Sequence, residues 1–460
     1  MSGLDELTRE DLIALVLKLH ETAQAQEKQI SELRGVVARQ AQRITELEQE
    51  VARLRGGGSS TPLNIKPSVA RKENAPRKRR KHSFARQTLV PTRVVLHAVD
   101  ECPDCGRSLD GGHLKWRHQV VEIPKVTVEV TDHLFVERYC GVCKERHTPD
   151  PAVVLAGVVV GRKTVGIGLM SLIGYLKTTF RVPIGLIRKL IGALWGLSIS
   201  EGEIAEILHD VAEMGESAYK DLLEAVRGSP VVNADETGWR EDGVNGYIWS
   251  FSGPDVRYYT YRYSRGSVVA KEVLSDKFTG TLVTDFYAAY NFYDGPKQRC
   301  WVHMRRALKE LVEKNPDLPE LASWKSAVVD IYDRAKESAK AEHSDLDRSR
   351  LKACFELELL ALCKPYIGVK TAVQRVLAER MESLIGELFT FVGDSAVPSE
   401  NNAAERAVRP AVVARKISGG SRSARGSKTC SILRTLFETW ALQGRNTIDA
   451  CREMITASAR

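Results

Sequence analysis

Two short apolar runs, each closing on an aspartate, constrain this 460-residue chain more than any other feature. Pro230-Val-Val-Asn-Ala-Asp235 and Gly280-Thr-Leu-Val-Thr-Asp285 carry buried-strand residues, are too short for helices and are bounded by turn signals. Asp242-Gly243 marks a turn after the first run. Gly246 to Phe251 and Val256 to Tyr263 read as two more strands around Gly253-Pro254-Asp255. A helix is expected at about Ser267 to Leu274, then the second aspartate-ended strand, then a fifth strand over Lys297 to Val302. Residues 303–395 read as largely helical, and a further helix from Asn401 carries Glu405. Two carboxylates on neighbouring strand ends and a third on a helix able to cross the sheet suit hard Mg²⁺, which takes oxygen ligands. A pair of such ions can clamp the attacking and leaving oxygens of a phosphodiester displacement. The same spacing also fits a plainer arrangement, with Asp235 and Asp285 starting turns and Glu405 pairing with Arg409 at i+4.

Upstream, residues 166–226 have a helical pattern. Pro183 to Leu194 forms one apolar-periodic helix, Gly196 sits in a short turn, and Ser200 caps a second helix from Glu201. That arrangement is compatible with a helix-turn-helix and equally with a plain αα-hairpin.

Nine cysteines are an odd number, and four of them form two Cys-x2-Cys pairs, Cys102-Pro-Asp-Cys105 and Cys140-Gly-Val-Cys143. Such usage points to a reducing compartment and a metal site rather than a disulfide scaffold. Four soft sulfur ligands suit a closed, structural Zn²⁺ site, with Gly106 and Gly141 easing the two turns. A redox pair is the alternative, and His113, His118 and His147 are nearby substitute ligands. Val120 to Val130 alternates like the strands of a hairpin between the pairs.

Residues 9–55 repeat every seven, with Val16, Ala23, Ile30, Val37, Ile44 and Val51 on one seam and Leu12, Leu19, Gln26, Leu33, Gln40, Leu47 and Leu54 on the other, the two Gln costing stability but helping to fix register. β-Branched residues at a and Leu at d favour a parallel two-stranded coiled coil, hence a homodimer or higher oligomer. Gly56 to Pro62 break the helix into a linker. The formal net charge of +8 is then placed in zones. Between Lys66 and Arg86 nine Lys or Arg, among them Arg77, Lys78, Arg79, Arg80 and Lys81, face only Glu73. A second zone, Asn401 to Lys428, holds seven against Glu405. Zoned positive charge implies a polyanion partner, bound mainly through phosphates. No apolar run approaches the roughly 18 residues of a membrane span, and the polar N-terminus shows no secretory signal, so no membrane role is expected.

Among the smaller candidates, Glu236 alternates to the other side of its strand from Asp235, and Cys300 with His303 supplies only two possible metal ligands, read as packing beside Asp285. Trp239, Trp249 and Trp301 read as core rather than base-stacking platforms, and Arg305 and Arg306 begin a helix near the carboxylates, within reach of phosphate.

Asn233-Ala-Asp-Glu-Thr237, Thr284-Asp-Phe-Tyr-Ala-Ala-Tyr290, Cys300-Trp-Val-His-Met-Arg-Arg306 and Asn401-Asn-Ala-Ala-Glu-Arg-Ala-Val-Arg-Pro410, followed by Arg415-Lys416, resemble the motifs of the TnpC-type DDE transposases of bacterial mobile elements, the insertion-sequence sixty-six family. The resemblance covers nearly the whole chain. Two departures are Glu400 before the Asn pair, where the family often has Asp, and a more basic, less aromatic stretch after Lys416. It implies a multidomain α+β protein: a coiled coil over 1–55, a basic linker over 56–90, a zinc-binding module over 91–150 and a helical DNA-binding region over 151–228. An RNase H-like α/β catalytic domain would follow over 229–309 and 399–460, interrupted by a helical insertion over 310–398. Asp235, Asp285 and Glu405 would be its metal-binding catalytic triad for Mg²⁺ or Mn²⁺, with Arg406, Arg409, Arg415 and Lys416 on the DNA. The implied activity is cleavage of double-stranded DNA at terminal inverted repeats and joining of the 3′-OH ends to target DNA. The implied setting is the bacterial cytoplasm at the nucleoid, with possible accessory transposition proteins. A non-catalytic zinc-containing regulator, or an RNase H-like nuclease without strand transfer, would share much of this sequence.

Overall fold

The computed structural model describes Gln24 and residues 88–122, 127–160 and 163–458. Apart from Gln24, the expected coiled coil lies outside the described residues, as does the basic cluster Arg77 to Lys81. The chain divides into two units, Met1–Glu122 and Ile123–Arg460.

In the first unit Cys102 and Cys105 lie on a tight knuckle. The Gly106 amide donates to Cys102 O at 2.8 Å, the Cys102 amide to Arg107 O at 2.8 Å, and Glu101 bridges Ser108. Gly106 has φ +72°, a left-handed conformation that its missing Cβ permits.

The second unit opens with a hairpin of β1 (Arg138–Cys140) and β2 (Glu145–His147), whose turn carries Cys143. The Cys143 amide donates to Cys140 Sγ at 3.4 Å. Here the left-handed residue is Lys144 (φ 56°) rather than Gly141. The described residues of 120–130 form no strands, so the hairpin sits later than the alternation suggested.

After the short α1 (Pro151–Val154) come α2 (Ile167–Thr178), α3 (Ile184–Trp195), α4 (Glu201–Met214) and α5 (Glu216–Arg227). Gly196 ends α3 at φ +68°, and Ser200 Oγ accepts from the Glu203 amide at 3.0 Å to cap α4, as its position predicts. Met170, Ile173, Ile187 and Ile204 form a core there with Leu436, Phe437, Cys451 and Ile455 from the end of the chain.

The sheet follows. β3 (Val231–Glu241), β4 (Val244–Ser252) and β5 (Arg257–Arg262) form an antiparallel meander. The first turn is Asp242-Gly243, both at positive φ, as a two-residue hairpin of type I′ requires. A crossover through α6 (Ser267–Leu274) leads to β6 (Thr281–Thr284), parallel to β3, and then to β7 (Lys297–Arg299), parallel to β6. The strand order is β5-β4-β3-β6-β7. The fifth strand is shorter than expected. The Cys300 amide donates to Thr284 O at 2.8 Å and the Trp301 amide to Ser399 O at 3.1 Å, so Trp301 already begins a helix.

That helix is α7 (Trp301–Lys314), followed by α8 (Pro319–Ser338), α9 (Asp345–Cys363), α10 (Arg375–Ser383) and α11 (Thr390–Gly393). Together they bury Trp301, Tyr332, Phe389 and Met381 against Val231 and Val283. α12 (Asn402–Ser418) crosses the same face of the sheet, packing Ala407 and Ala411 on Trp239, Ile248 and Tyr259. α13 (Ala424–Leu442) and α14 (Thr447–Ser458) complete the chain. The opposite face buries Val232, Ala234, Trp249 and Leu282 against α6. All three tryptophans expected in the core are there: Trp249 and Trp301 are fully buried and Trp239 nearly so. Truncating any one would cost about 3–5 kcal/mol. The whole is a mixed α/β architecture around a mixed sheet. Among the described residues no helix is long and apolar enough to cross a membrane.

Candidate active site

β3 and β6 run parallel with Val231 opposite Thr281 and Asn233 opposite Val283. Two residues further along each chain stand Asp235 and Asp285, on the face that α12 crosses. Asp235 does not end its strand, as the apolar run suggested. β3 continues to Glu241 as the long arm of the β3–β4 hairpin, and only the parallel ladder stops before Asp235. Side chains alternate along a strand, so Asp235 shares its face with Asn233 while Glu236 takes the other. A backbone amide holds each of the two aspartates. Asp235 Oδ1 accepts from the Glu236 amide at 2.8 Å, and Asp285 Oδ1 accepts from the Tyr287 amide at 2.8 Å.

Glu405 lies in the first turn of α12, whose start is pinned by Asn401. The buried Asn401 side chain donates to Ala234 O at 2.8 Å and accepts from Asn233 Nδ2 at 3.0 Å, and its amide donates to Cys300 Sγ at 3.2 Å. One residue, through its side chain and its amide, thereby ties the strand of Asp235, the helix of Glu405 and the start of α7.

Burial is the largest influence on Asp235, and the charge of Glu236 comes next, with Asp285 and Glu405 adding to it. Against the Glu236 amide these push the Asp235 carboxyl up to about 7. Burial and neighbouring carboxylates of this kind favour a retained proton, and a cation bound there would oppose that shift. Asp235, Asp285 and Glu405 offer carboxylate oxygens, the donor type a hard divalent ion takes, but these atoms do not all lie within 4.8 Å of one another.

Glu236 is held otherwise. Its side chain is only 2% exposed, paired with Arg265 at 2.8 Å and accepting from Tyr290 OH at 2.8 Å. Burial raises its pKa, and the Tyr290 and Arg265 hydrogen bonds hold it back. Arg265 in turn lies 4.2 Å over the Tyr287 ring, a cation–π contact that fixes it beside the Asp285 turn.

Cys300 occupies the N-cap position of α7 and is fully buried, and burial pushes its thiol up. His303 lies one turn on, with Nδ1 3.8 Å from Glu405 Oε1. Among the described residues the metal-ligating side chains that converge within 4.8 Å are Cys300, His303 and Glu405. Local pattern supplied the Cys-x2-His pair but not its partner on α12.

The cationic candidates separate. Arg305, Arg306, Arg406, Arg409 and Lys416 are exposed. Arg305 reaches Asp333 at 3.4 Å and, with Arg306, Lys309 and Lys325, borders an open cavity of about 660 Å³ between α7 and α8. Arg415 instead turns inward and donates to the Gly238 carbonyl, which makes it a brace for β3.

Comparison with known proteins agrees in kind with this geometry. The chain is similar over 272 residues to an uncharacterized protein, y4qI, of Sinorhizobium fredii, at 25% identity covering 52% of this chain. The chain spans about half the length of that curated relative. The family model described as Transposase IS66 family matches residues 162–429, which take in the whole sheet, the helices between β7 and α12, and α12 with all three acids. The match covers more than half of the chain, and the protein therefore belongs to the IS66 transposase family.

Proposed function

We propose that this chain is a DDE transposase whose RNase H-like core cuts and joins DNA with Asp235, Asp285 and Glu405. The observation that carries the reading is that Asp235 and Asp285 each stand two residues beyond Asn233 and Val283, the last paired residues of two adjacent parallel strands, while Glu405 lies in the first turn of the helix packed on that face. The strand order, with a three-stranded antiparallel meander extended by two parallel strands, supports the fold assignment. Divalent cations held by the three carboxylates, Mg²⁺ or Mn²⁺, would neutralise the scissile phosphate and acidify a bound water.

The chain's own residues do the rest. Asp235 and Asp285 would present carboxylates that each have Oδ1 held by a backbone amide, and Glu405 would close the site from the first turn of α12. Water is the first nucleophile and the freed 3′-OH the second, so no covalent protein–DNA intermediate is needed. Arg406 and Arg409, on the same helix as Glu405, face solvent where the phosphate backbone would lie. Arg305 and Arg306 extend that basic surface along α7.

Upstream, the α3–α4 pair and the basic linker would hold the element's terminal inverted repeats, and the coil over 9–55 would pair two chains. Cys102, Cys105, Cys140 and Cys143 would hold a structural Zn²⁺. The N–H···S bonds support thiolate character: Cys102 is lowered by the amides of Asp104 and Cys105, Cys140 by those of Cys143 and Val142. The working place is the bacterial cytoplasm.

The deciding experiment incubates the purified chain with a labelled element end, a target plasmid and Mg²⁺. Asp285→Asn should abolish cleavage and leave retention of the DNA within about two-fold. Specific retention without cleavage by the wild type would favour a regulator, and cleavage without joining a nuclease.

A further inference from the structure

We propose that Cys300, His303 and Glu405 form a binding site for a borderline-soft divalent cation of the zinc class, and that its occupation holds Glu405 away from Asp235 and Asp285 and switches off the Mg²⁺-dependent chemistry. The second half rests on the transposase reading; the first does not.

Three observations converge. Cys300 Sγ, a His303 ring nitrogen and a Glu405 carboxylate oxygen lie within 4.8 Å of one another. Tetrahedral zinc with bonds of about 2.0–2.3 Å sets its ligands roughly 3.3–3.6 Å apart, so only a small closure is required. The 3.8 Å between His303 Nδ1 and Glu405 Oε1 is too long for a hydrogen bond. Both atoms are buried and neither has a hydrogen-bond partner, although buried polar atoms almost always find one. An ion between them would satisfy both at once. Yet the His303 and Glu405 side chains are 28% and 37% exposed, so a hydrated ion can enter.

Charge and hardness agree. Coordination releases one proton from Cys300 Sγ, and the resulting thiolate with the Glu405 carboxylate balances a dication beside neutral His303. The ligands project from the first turns of α7 and α12, whose amide ends favour anionic donors. A sulfur and an imidazole select zinc over Mg²⁺, which prefers oxygen. The two sites share Glu405, so they compete.

The test uses the full-length chain stripped of metal and titrated with Co²⁺ as the zinc surrogate, without DNA. Wild type should bind one more cobalt per chain than Cys300→Ser or His303→Gln. Its difference spectrum against Cys300→Ser should show a sulfur-to-cobalt band. The other cysteines are common to all three proteins and cancel. Zinc added at fixed Mg²⁺ should slow cleavage of a labelled DNA end by wild type, with the midpoint at least about ten-fold higher in both variants. Equal cobalt counts in the three proteins overturn the site, and equal zinc sensitivity overturns the switch. Absence of cleavage by wild type in zinc-free Mg²⁺ would instead count against the transposase reading, and the cobalt count would still decide the site.

Discussion

Asn233 donates from its side-chain amide to Asn401 Oδ1 at 3.0 Å, joining the strand that carries Asp235 to the helix that carries Glu405. Asn401 is 1% exposed and also donates to Ala234 O. Truncating it strands a buried donor and a buried acceptor, each worth about 1–3 kcal/mol. Asn401→Ala should therefore destabilise the chain by about 2–4 kcal/mol in urea unfolding and lower cleavage more than ten-fold. Asn401→Asp, which keeps the acceptor for Asn233 but turns a buried carboxylate oxygen toward the Ala234 carbonyl, should be at least as damaging. Equal cleavage by all three proteins would detach this bond from the chemistry.

Asp235 carries a stability signature of its own. Its carboxyl rises from 3.8 to about 7, with burial the largest cause and Glu236 the next. A group whose folded value is raised contributes stability that is complete below its unfolded value and lost as pH climbs through the folded one. The metal-free chain should thus lose stability between about pH 4 and pH 7, on the order of a few kcal/mol. Asp235→Asn should flatten that slope, and saturating Mg²⁺ should reverse it. Thermal melts across the range, with and without the ion, read both effects.

Glu236 gives a second handle on the same carboxyl. Replacing Glu236 by Gln removes the largest charge acting on Asp235 and should lower its pKa, moving the acid limb of the cleavage profile to lower pH. The substitution should also weaken the Arg265 pair, whose guanidinium is half exposed, at a cost of about 1 kcal/mol. A pH–rate profile identical to wild type would show that Glu236 does not tune Asp235.

Much of this arrangement was legible where local chemistry decides. Gly196 and Ser200 mark the α3–α4 junction because a left-handed stop and an N-cap are properties of single residues. Ser267–Leu274 folds over the predicted span. β3 outran its expected end because its far half is held by tertiary packing: Trp239, with Ile248 and Tyr259 of its neighbours, rests on Ala407 and Ala411. No apolar run announces Thr237-Gly238-Trp239 as strand. Likewise Cys300 and His303 show as a pair in sequence, whereas the meeting with Glu405 depends on Asn401 seating α12 against the start of α7.

The basic residues of α12 should part into two classes. Arg406 and Arg409 are exposed, while Arg415 braces Gly238. Arg406→Ala and Arg409→Ala should weaken DNA retention several-fold with little change in stability. Arg415→Ala should lower stability by about 1–3 kcal/mol through the orphaned carbonyl. Urea unfolding beside filter retention at one salt concentration separates these outcomes, and a DNA-binding loss at Arg415 without destabilisation would reassign it to the interface.

The charge zones make the last prediction. Nine cationic residues and Glu73 between Lys66 and Arg86 sum to the whole +8 of the chain, so the remainder is neutral overall although α12 and its successor are locally basic. Each phosphate neutralised contributes about 0.9 to the slope of log affinity against log salt. Deleting 66–86 should cut that slope by several units and weaken retention most at low salt. Cleavage at saturating protein should persist, because Asp235, Asp285 and Glu405 lie outside the deletion. An unchanged slope would move the polyanion contact to the α7 and α12 arginines alone. Loss of cleavage at saturation would mean that the linker also positions DNA over the carboxylates.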